Sequence, residues 1–513
     1  TDADSGETLP YSSIMVSPGN HALACDADGQ FALTLPAAEY KLTVSYIGFK
    51  SAVRKISLNS PIQLNIALQS AEKALKEVVI TATEGDGLTS SSRIDREAMN
   101  HLQPTSFTDL LELLPGNISR DPNMGAANTI TLRETGTMSA TGTRTASDDY
   151  AITSLGTQFM IDGAPVGTDA NMQSIPSNDA SDPSARRSVA NKGVDMRTIS
   201  TDNIESVEIV RGIPSAEYGN LTSGLVNIKR IRRSTPFTFR FKADQYSKLF
   251  SASKGFALGN GGNVVKVDAG YLDSKADPRD NHETYKRITL AARPTLRLNS
   301  AAANALWTFG VDFTGSFDNA RVDPDLNYNK IDEYISSYNK YAFISDLNLA
   351  LNHCSWLDNI VFNASADCTR DHLSRRKQVA PQRASVAPST FDEGVHDGHY
   401  LLSEYICDFE VDGKPINLNL RLKANGKASK GKILNLYKAG VEWSFAKNYG
   451  RGQVYDLERP LSASWSTRPR AFRDIPSLQV LSGFIEDELT ANLGGNRAEL
   501  RLGGRFITLP ALD

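Results

Sequence analysis

From about residue 233 onward one pattern recurs: apolar, often aromatic, side chains alternate with charged or polar ones over long runs. Phe237, Phe239 and Phe241 alternate with Thr238, Arg240 and Lys242. Val265, Val267, Ala269 and Tyr271 alternate with Lys266, Asp268 and Gly270, and Trp307, Phe309, Val311 and Phe313 with Thr308, Gly310, Asp312 and Thr314. The same period returns at Ile416–Leu422, at Tyr437–Phe445, and at Leu500, Leu502 and Phe506 against Glu499, Arg501 and Arg505. A period of two is that of strands, whose successive side chains point to opposite faces. A water-soluble sandwich also alternates, so the period alone selects neither medium. Runs of about ten residues, aromatic run ends and long polar stretches between runs select a wall with lipid on one side and a wet interior on the other.

Other architectures are excluded by simple means. No uninterrupted apolar stretch reaches the roughly 18 residues of a helical span, and mean hydropathy is −0.32. The net charge of −4 offers no basic footprint for nucleic acid. The expected fold class is mainly β: a small β-sandwich, an α+β plug domain and part of a transmembrane antiparallel β-barrel.

Residues 93–232 read differently. Phe107, Leu110, Leu111 and Leu114 recur at helical spacing and end at Pro115-Gly116. "TQFMIDGAPVG" reads as strand, Asp-Gly turn, strand. Asp202 stands as a cap before Ile204, Val207–Val210 and Leu225–Ile228 read as strands, and the polar stretches 134–156 and 168–196 are too irregular to assign. The order "LLPGN", "FMIDGAPV", "IESVEIVRGIPSAEYGNLTSGLVNIKR" resembles the plug domain of TonB-dependent outer-membrane receptors. At Arg133-Glu134 the family often has Arg-Gly, so that loop departs from the pattern. Arg211 and Glu205 are read as structural residues that pair with the barrel wall.

Residues 1–71 carry short alternating runs, Gln30–Leu35, Tyr40–Ile47 and Ile62–Leu68, with turns at Asp26–Gly29 and Pro36–Ala38. "CDADGQFALTLPAAEYKLTVSYIGF" and "LNIAL" resemble the carboxypeptidase regulatory-like domain that precedes many receptors of Bacteroidetes. No H-x-x-E pair accompanies it, so the likeness concerns fold and not peptidase chemistry. The family's opening strand is missing ahead of Asp2, which suggests a processed start.

Between the two lies a linker, residues 72–92. It starts with helix-permissive Ala71–Lys76 and ends in glycines and the serines Ser90–Ser92. Inside it Glu77, Val78, Val79, Ile80, Thr81, Ala82 and Thr83 form a lone β-prone run. An extended segment with unpaired edges can join another protein's sheet. The resemblance implies that this partner is TonB, with its inner-membrane motor complex.

The remaining chemistry-bearing residues read as having plainer roles. Cys25, Cys354, Cys368 and Cys407 are scattered and form no C-x-x-C. Cys354 continues a polar register and Cys368 an apolar one, so a shared zinc site is not expected. The oxygen-rich series Asp323, Asp325, Asn327, Asn329 and Asp332 lacks the glycine of a calcium loop, Tyr328 standing in its place. His396 and His399 read as loop residues. Gly259, Gly261 and Gly262 are hairpin glycines, and no Walker lysine, G-x-S-x-G or H-E-x-x-H motif occurs. No catalytic residue, cofactor or metal is expected.

The resemblance thus implies an outer-membrane importer with its N-terminal domain and plug toward the periplasm. It also implies outer-membrane lipid around residues 233–513, an extracellular substrate of unknown identity, and a surface lipoprotein as a candidate partner. A surface receptor or signal transducer without transport is the alternative. Roughly a dozen strand-like runs after residue 232 stand against about 22 strands in the family's barrel, so this stretch is expected not to insert alone.

Overall fold

The computed structural model describes the chain except residues 2, 4–7, 10–11, 18–20, 27–28, 47–50, 69–81, 85–89, 115–123, 131, 133–153, 176–181, 191, 260–261, 301, 353, 355, 382–385, 388–389, 391, 431–432, 464–468, 494–495 and 511–513. Contacts divide it into two compact units, Thr1–Val79 and Ile80–Asp513.

In the first unit β1 (Ser13–Ser17), β2 (His21–Ala24), β3 (Ala38–Ser45) and β4 (Ala52–Leu58) form an antiparallel sheet in the order β2-β1-β3-β4. Ile14, Val16, Leu42 and Val44 alternate inward and supply its core. Tyr40–Ser45 of the Tyr40–Ile47 run lies in β3, whereas Gln30–Leu35 and most of Ile62–Leu68 make no ladder. Pro36 and Pro61 flank these runs and cannot donate to one. Phe31, Leu35, Leu64 and Ile66 still pack on the core, so apolar alternation reports burial here without strand pairing. The Leu68 N–H donates to the Thr1 carbonyl at 2.9 Å, and the Ala3 N–H to Leu68 at 2.9 Å.

The second unit begins with a small α/β body. Its strands are β5 (Thr83–Glu84), β6 (Ser91–Asp95), β7 (Thr157–Ile161), β8 (Ala164–Pro165), β9 (Ile204–Val210) and β10 (Gly224–Arg230), in the order β5-β6-β9-β10-β7-β8. Helices α1 (Arg96–Leu102) and α2 (Pro183–Arg187) and a 3-10 turn, Phe107–Leu113, accompany them. The Phe107 periodicity is therefore met by a 3-10 helix, capped by Ser106 and closed by Asp109, whose carboxylate accepts from the Thr105 and Ser106 amides at 2.7 and 3.0 Å. Asp202 caps no helix: strand β9 starts two residues later, and the carboxylate pairs with Arg240 at 2.6 Å. The core is apolar and dry, built from Ile94, Met99, Phe107, Phe159, Val207, Ile209 and Val226 among others.

Around this body runs a 13-stranded sheet. Its strands are β11 (Thr235–Ala243), β12 (Ser247–Leu258), β13 (Asn263–Lys275), β14 (Glu283–Asn299), β15 (Ala303–Arg321), β16 (Asp332–Leu351) and β17 (Asn359–Val379), followed past a short ribbon, β18 (Val386–Ala387) and β19 (His399–Tyr400), by β20 (Tyr405–Gly413), β21 (Pro415–Lys430), β22 (Ile433–Asn448), β23 (Gly452–Tyr455), β24 (Leu478–Leu493) and β25 (Asn496–Thr508). All pairings in it are antiparallel. Strands β16 and β17 run 20 and 21 residues, about twice what a tilted strand needs to cross lipid. The expected length of about ten residues is thus corrected, because these strands continue past the membrane as ladders in the loops.

Connections on the end where β11 starts are mostly short, as at 258–263, 299–303, 430–433 and 493–496. The opposite end carries the long ones, 321–332, 379–405 and 455–478. Short turns on one side and long loops on the other are the asymmetry of outer-membrane barrels, with the long loops outside.

Candidate functional site: the seat of the inner body in the wall

The faces of the wall are inverted relative to a soluble protein. Phe237, Phe239 and Phe241 are 65%, 62% and 55% exposed, while Lys266, Arg293 and Arg375 are each 2% exposed. Arg375 reaches Asp182 of the α/β body, whereas Lys266 bonds to Thr235 and Ser253 and Arg293 to Asp268 and Asp312 along the inner face; Arg240 of β11 and Arg505 of β25 also reach the body. A sheet whose first and last strands touch one small body must curl around that body.

The chain builds the contact from local geometry. Asp162 and Gly163 both take positive φ, 52° and 85°, as a two-residue hairpin between β7 and β8 requires. That turn aims the Asp162 carboxylate at Arg230, the last residue of β10, with Nε–Oδ2 at 2.6 Å, and at Arg232 at 3.3 Å. Arg230 continues outward to Asp312 on β15 at 2.7 Å. Burial alone would raise the Asp162 pKa, but Arg230 and Arg232 outweigh it and hold the carboxyl well below the usual range.

A second cluster surrounds α2. Arg187 pairs with Asp318 and, at 3.4 Å, with Glu283, while Arg197 holds Asp318 at 2.9 Å and Asp195 at 2.8 Å. The Arg197 guanidinium lies 4.8 Å from the Tyr285 ring centre. Arg375 of β17 grips Asp182, the N-cap of α2, at 2.9 Å and Asp332 at 2.6 Å. A third cluster reverses the signs: Glu217 meets Lys423 at 2.8 Å and Arg421 at 3.5 Å, and its carbonyl accepts from Arg505 at 2.8 Å. Glu486 accepts the Ala216 amide at 2.7 Å. A cavity of about 220 Å³ remains between body and wall, bordered by Val166, Ser188, Tyr285, Tyr338, Lys340 and Asp367.

Glu77, Val78, Val79, Ile80 and Thr81 lie outside the described residues. Ala82 is buried in the α/β core and its amide donates to the Leu113 carbonyl at 3.0 Å; Thr83 pairs with Arg93 in the β5–β6 ladder. Cys368 faces outward from β17, in the register expected, whereas Cys354 sits in the 352–358 turn where no strand register applies. Asp332 of the oxygen-rich series is taken by Arg375, and Asp323 accepts the Asp325 amide at 2.8 Å to shape its own turn. Among the described residues no group of three metal-ligating side chains converges. His396 contacts the Asp392 carbonyl at 3.1 Å and His399 stands 3.7 Å from Glu458.

Arg211 donates to Ser92 inside the α/β body, and Glu205 pairs with Arg233 on the connection to β11. Contacts to the wall come from Asp182, Arg187, Arg197, Glu217 and Arg230 among others, with Asp162 holding Arg230 in place. Only Asp162 carried a local signal, its Asp-Gly turn; the others are ordinary charges until the wall is built.

A compact plug with an apolar core, seated by ion pairs within a sheet that is apolar outside and charged inside, defines part of a plugged outer-membrane β-barrel. Residues 1–80 match the CarboxypepD_reg-like domain and residues 84–226 the TonB-dependent Receptor Plug Domain. The chain therefore carries a plug domain of the TonB-dependent receptor kind behind a carboxypeptidase regulatory-like domain, an arrangement of the outer membrane. It is 23% identical over 372 residues to TonB-dependent receptor P26 of Formosa agariphila, covering 68% of this chain and 32% of that protein. It thus spans about a third of the length of that curated relative. Similar solved structures include the open form of the ferric-catecholate import receptor Fiu of E. coli (12% identity, TM-score 0.47, 83% of this chain, 60% of that one). The siderophore receptor PirA of Acinetobacter baumannii is another (15%, 0.47, 81% and 56%).

Proposed function

We propose that this chain is the plug-bearing part of an active importer. The observation that carries the reading is the chemistry of the seat: the plug's main apolar core holds no wall residue, and the plug meets the wall mostly through charges and hydrogen bonds, with smaller apolar contacts at Met124 and Ile175. Such contacts can be exchanged for water when the plug moves, whereas one large apolar core common to plug and wall would resist their separation.

In this reading the chain divides into a sandwich at 1–71, a linker at 72–92, the plug at 93–232 and the wall at 233–513. A substrate binds among the long loops and the plug's outer end. TonB, driven by its inner-membrane motor complex, takes Glu77–Thr83 as an added strand. A pull along that segment reaches Ala82 and then β5, an edge strand held to β6 over two residues. The load therefore meets the plug at an edge ladder of two residue pairs and peels it from there. The name of the relative and the titles of the solved receptors describe those proteins; the loops here carry no readable code for cargo.

Val79→Pro removes one amide donor from the added strand. Expected are loss of uptake to the level of cells lacking TonB and unchanged substrate binding at the surface; normal uptake would remove this segment from the mechanism. The separate N-terminal unit favours a second reading, a surface or signalling receptor without transport. Accumulation that survives collapse of the proton-motive force would select that one. A surface lipoprotein is a candidate partner in either case.

A further inference from the structure

At the loop end of the wall, β17 changes partner. Up to Cys368 it pairs with β21, and from Asp371 to Val379 with β20. The next strand breaks at the same level: β22 ends at Asn448 opposite Pro415, and β23 resumes at Gly452 opposite Asp412. The notch is too tight for side chains, since a Cβ on Gly450 would lie 2.1 Å from the Asp412 carbonyl oxygen. A Cβ on Gly413 would lie 2.2 Å from Gln173 of the plug. The plug's 168–175 loop fills this notch.

Asn448, 1% exposed, stands at its centre. Its Oδ1 accepts the amides of Lys414 and Gly450, both at 2.9 Å, and its Nδ2 donates to the Ala170 carbonyl of the plug at 2.9 Å. One side chain thus ties both broken strands to the plug. Beyond the break the loop segments build their own apolar core around Tyr405, Cys407, Phe409, Leu461 and Phe472. Ile175 of the plug is buried inside that core, and Met172 packs against it. This extracellular cap has a complete core only with the plug in place.

We propose that Asn448 latches the plug's 168–175 loop into the barrel mouth, and that the extracellular cap stays packed only while the plug is seated. Withdrawal of the plug takes Ile175 out of the cap and loosens it, so the inner stopper and the outer cover open together. The latch rests on the plug-and-barrel reading above. Its readout needs neither substrate nor TonB, so latch and import can fail independently.

The buried thiol of Cys407 is a built-in reporter of cap packing. In the full chain held in outer-membrane vesicles, with Cys25, Cys354 and Cys368 replaced by alanine, maleimide labelling of Cys407 is followed beside amide exchange in β12 and β13. Asn448→Asp keeps an acceptor for the Lys414 and Gly450 amides but sets an oxygen against the Ala170 carbonyl. Ile175→Ala leaves the wall untouched and removes only the plug's side chain from the cap. Each should raise Cys407 labelling by about tenfold, as expected for local opening on loss of a buried contact, with β12 and β13 as protected as in the parent. Labelling that stays at the parent rate in either variant overturns the latch, as does labelling that rises only together with exchange in β12 and β13.

Discussion

The plug and the wall are built from similar residues with opposite orientation. In the plug Phe107, Val207 and Val226 are fully buried and the charges lie on its surface; in the wall Phe239 is 62% exposed while Lys266 and Arg375 are almost wholly enclosed. Each obeys the same rule, that apolar surface leaves water. The difference lies in what each surface meets: the plug's surface meets the polar inner face of the wall, and the wall's outer face meets lipid. The boundary between the two is therefore mostly polar on both sides, and the plug's main core stays separate from the wall, which it joins only in small apolar patches at Met124 and Ile175.

The largest expected effect tests the plug's half of that contrast. Phe107→Ala empties a site packed edge-on against Phe159, with ring centres 5.9 Å apart, and should cost about 3–5 kcal/mol, read as early plug unfolding in a denaturant titration. Breaking the boundary comes next. Asp162→Ala leaves Arg230 with Asp312 alone and should cost about 3 kcal/mol, measured as faster proteolysis of the plug in an intact wall. The same pair sets an acid limit. Because Arg230 and Arg232 depress the native Asp162 pKa, its stabilisation is complete above about pH 4, the unfolded value, and is lost as pH falls through the depressed native one. Asp162→Asn should flatten that acid limb. Phe239→Arg then tests the wall: about 2–4 kcal/mol is expected for a cation facing the middle of the lipid, by urea unfolding from vesicles. A silent substitution would mean that this face meets water and would end the contrast. Ser106→Ala, which removes the side chain accepting the Thr108 amide at 3.3 Å, should cost the least, about 0.5–2 kcal/mol, seen as fraying of the 107–113 turn by amide exchange.

How much could be read beforehand varied with the range of the interaction. The β11, β13, β15, β21, β22 and β25 runs were legible because alternation needs only neighbours in sequence. The β7–β8 hairpin was legible because Asp-Gly is a local turn signal. Gln30–Leu35 alternates without pairing, since a flanking proline and contacts elsewhere in the core replaced the ladder. The 20- and 21-residue lengths of β16 and β17 were hidden, because past the membrane the apolar face no longer has lipid to mark it. Of the seven-residue run proposed to pair with TonB, Ala82 and Thr83 are held by the plug itself, through a backbone bond to Leu113 and a ladder to Arg93, and no side-chain pattern announces either.

Taken alone, the amino-acid sequence determined the strands, their two unlike faces and the plug-like block before them, since these follow from short-range periodicity and turn chemistry. Only the tertiary structure decided which charge meets which. Glu217 and Arg505 are 288 positions apart, and Asn448 lies 278 from Ala170. Over such separations a lysine, arginine or asparagine looks like any other until the wall closes around the plug and removes the water from between them.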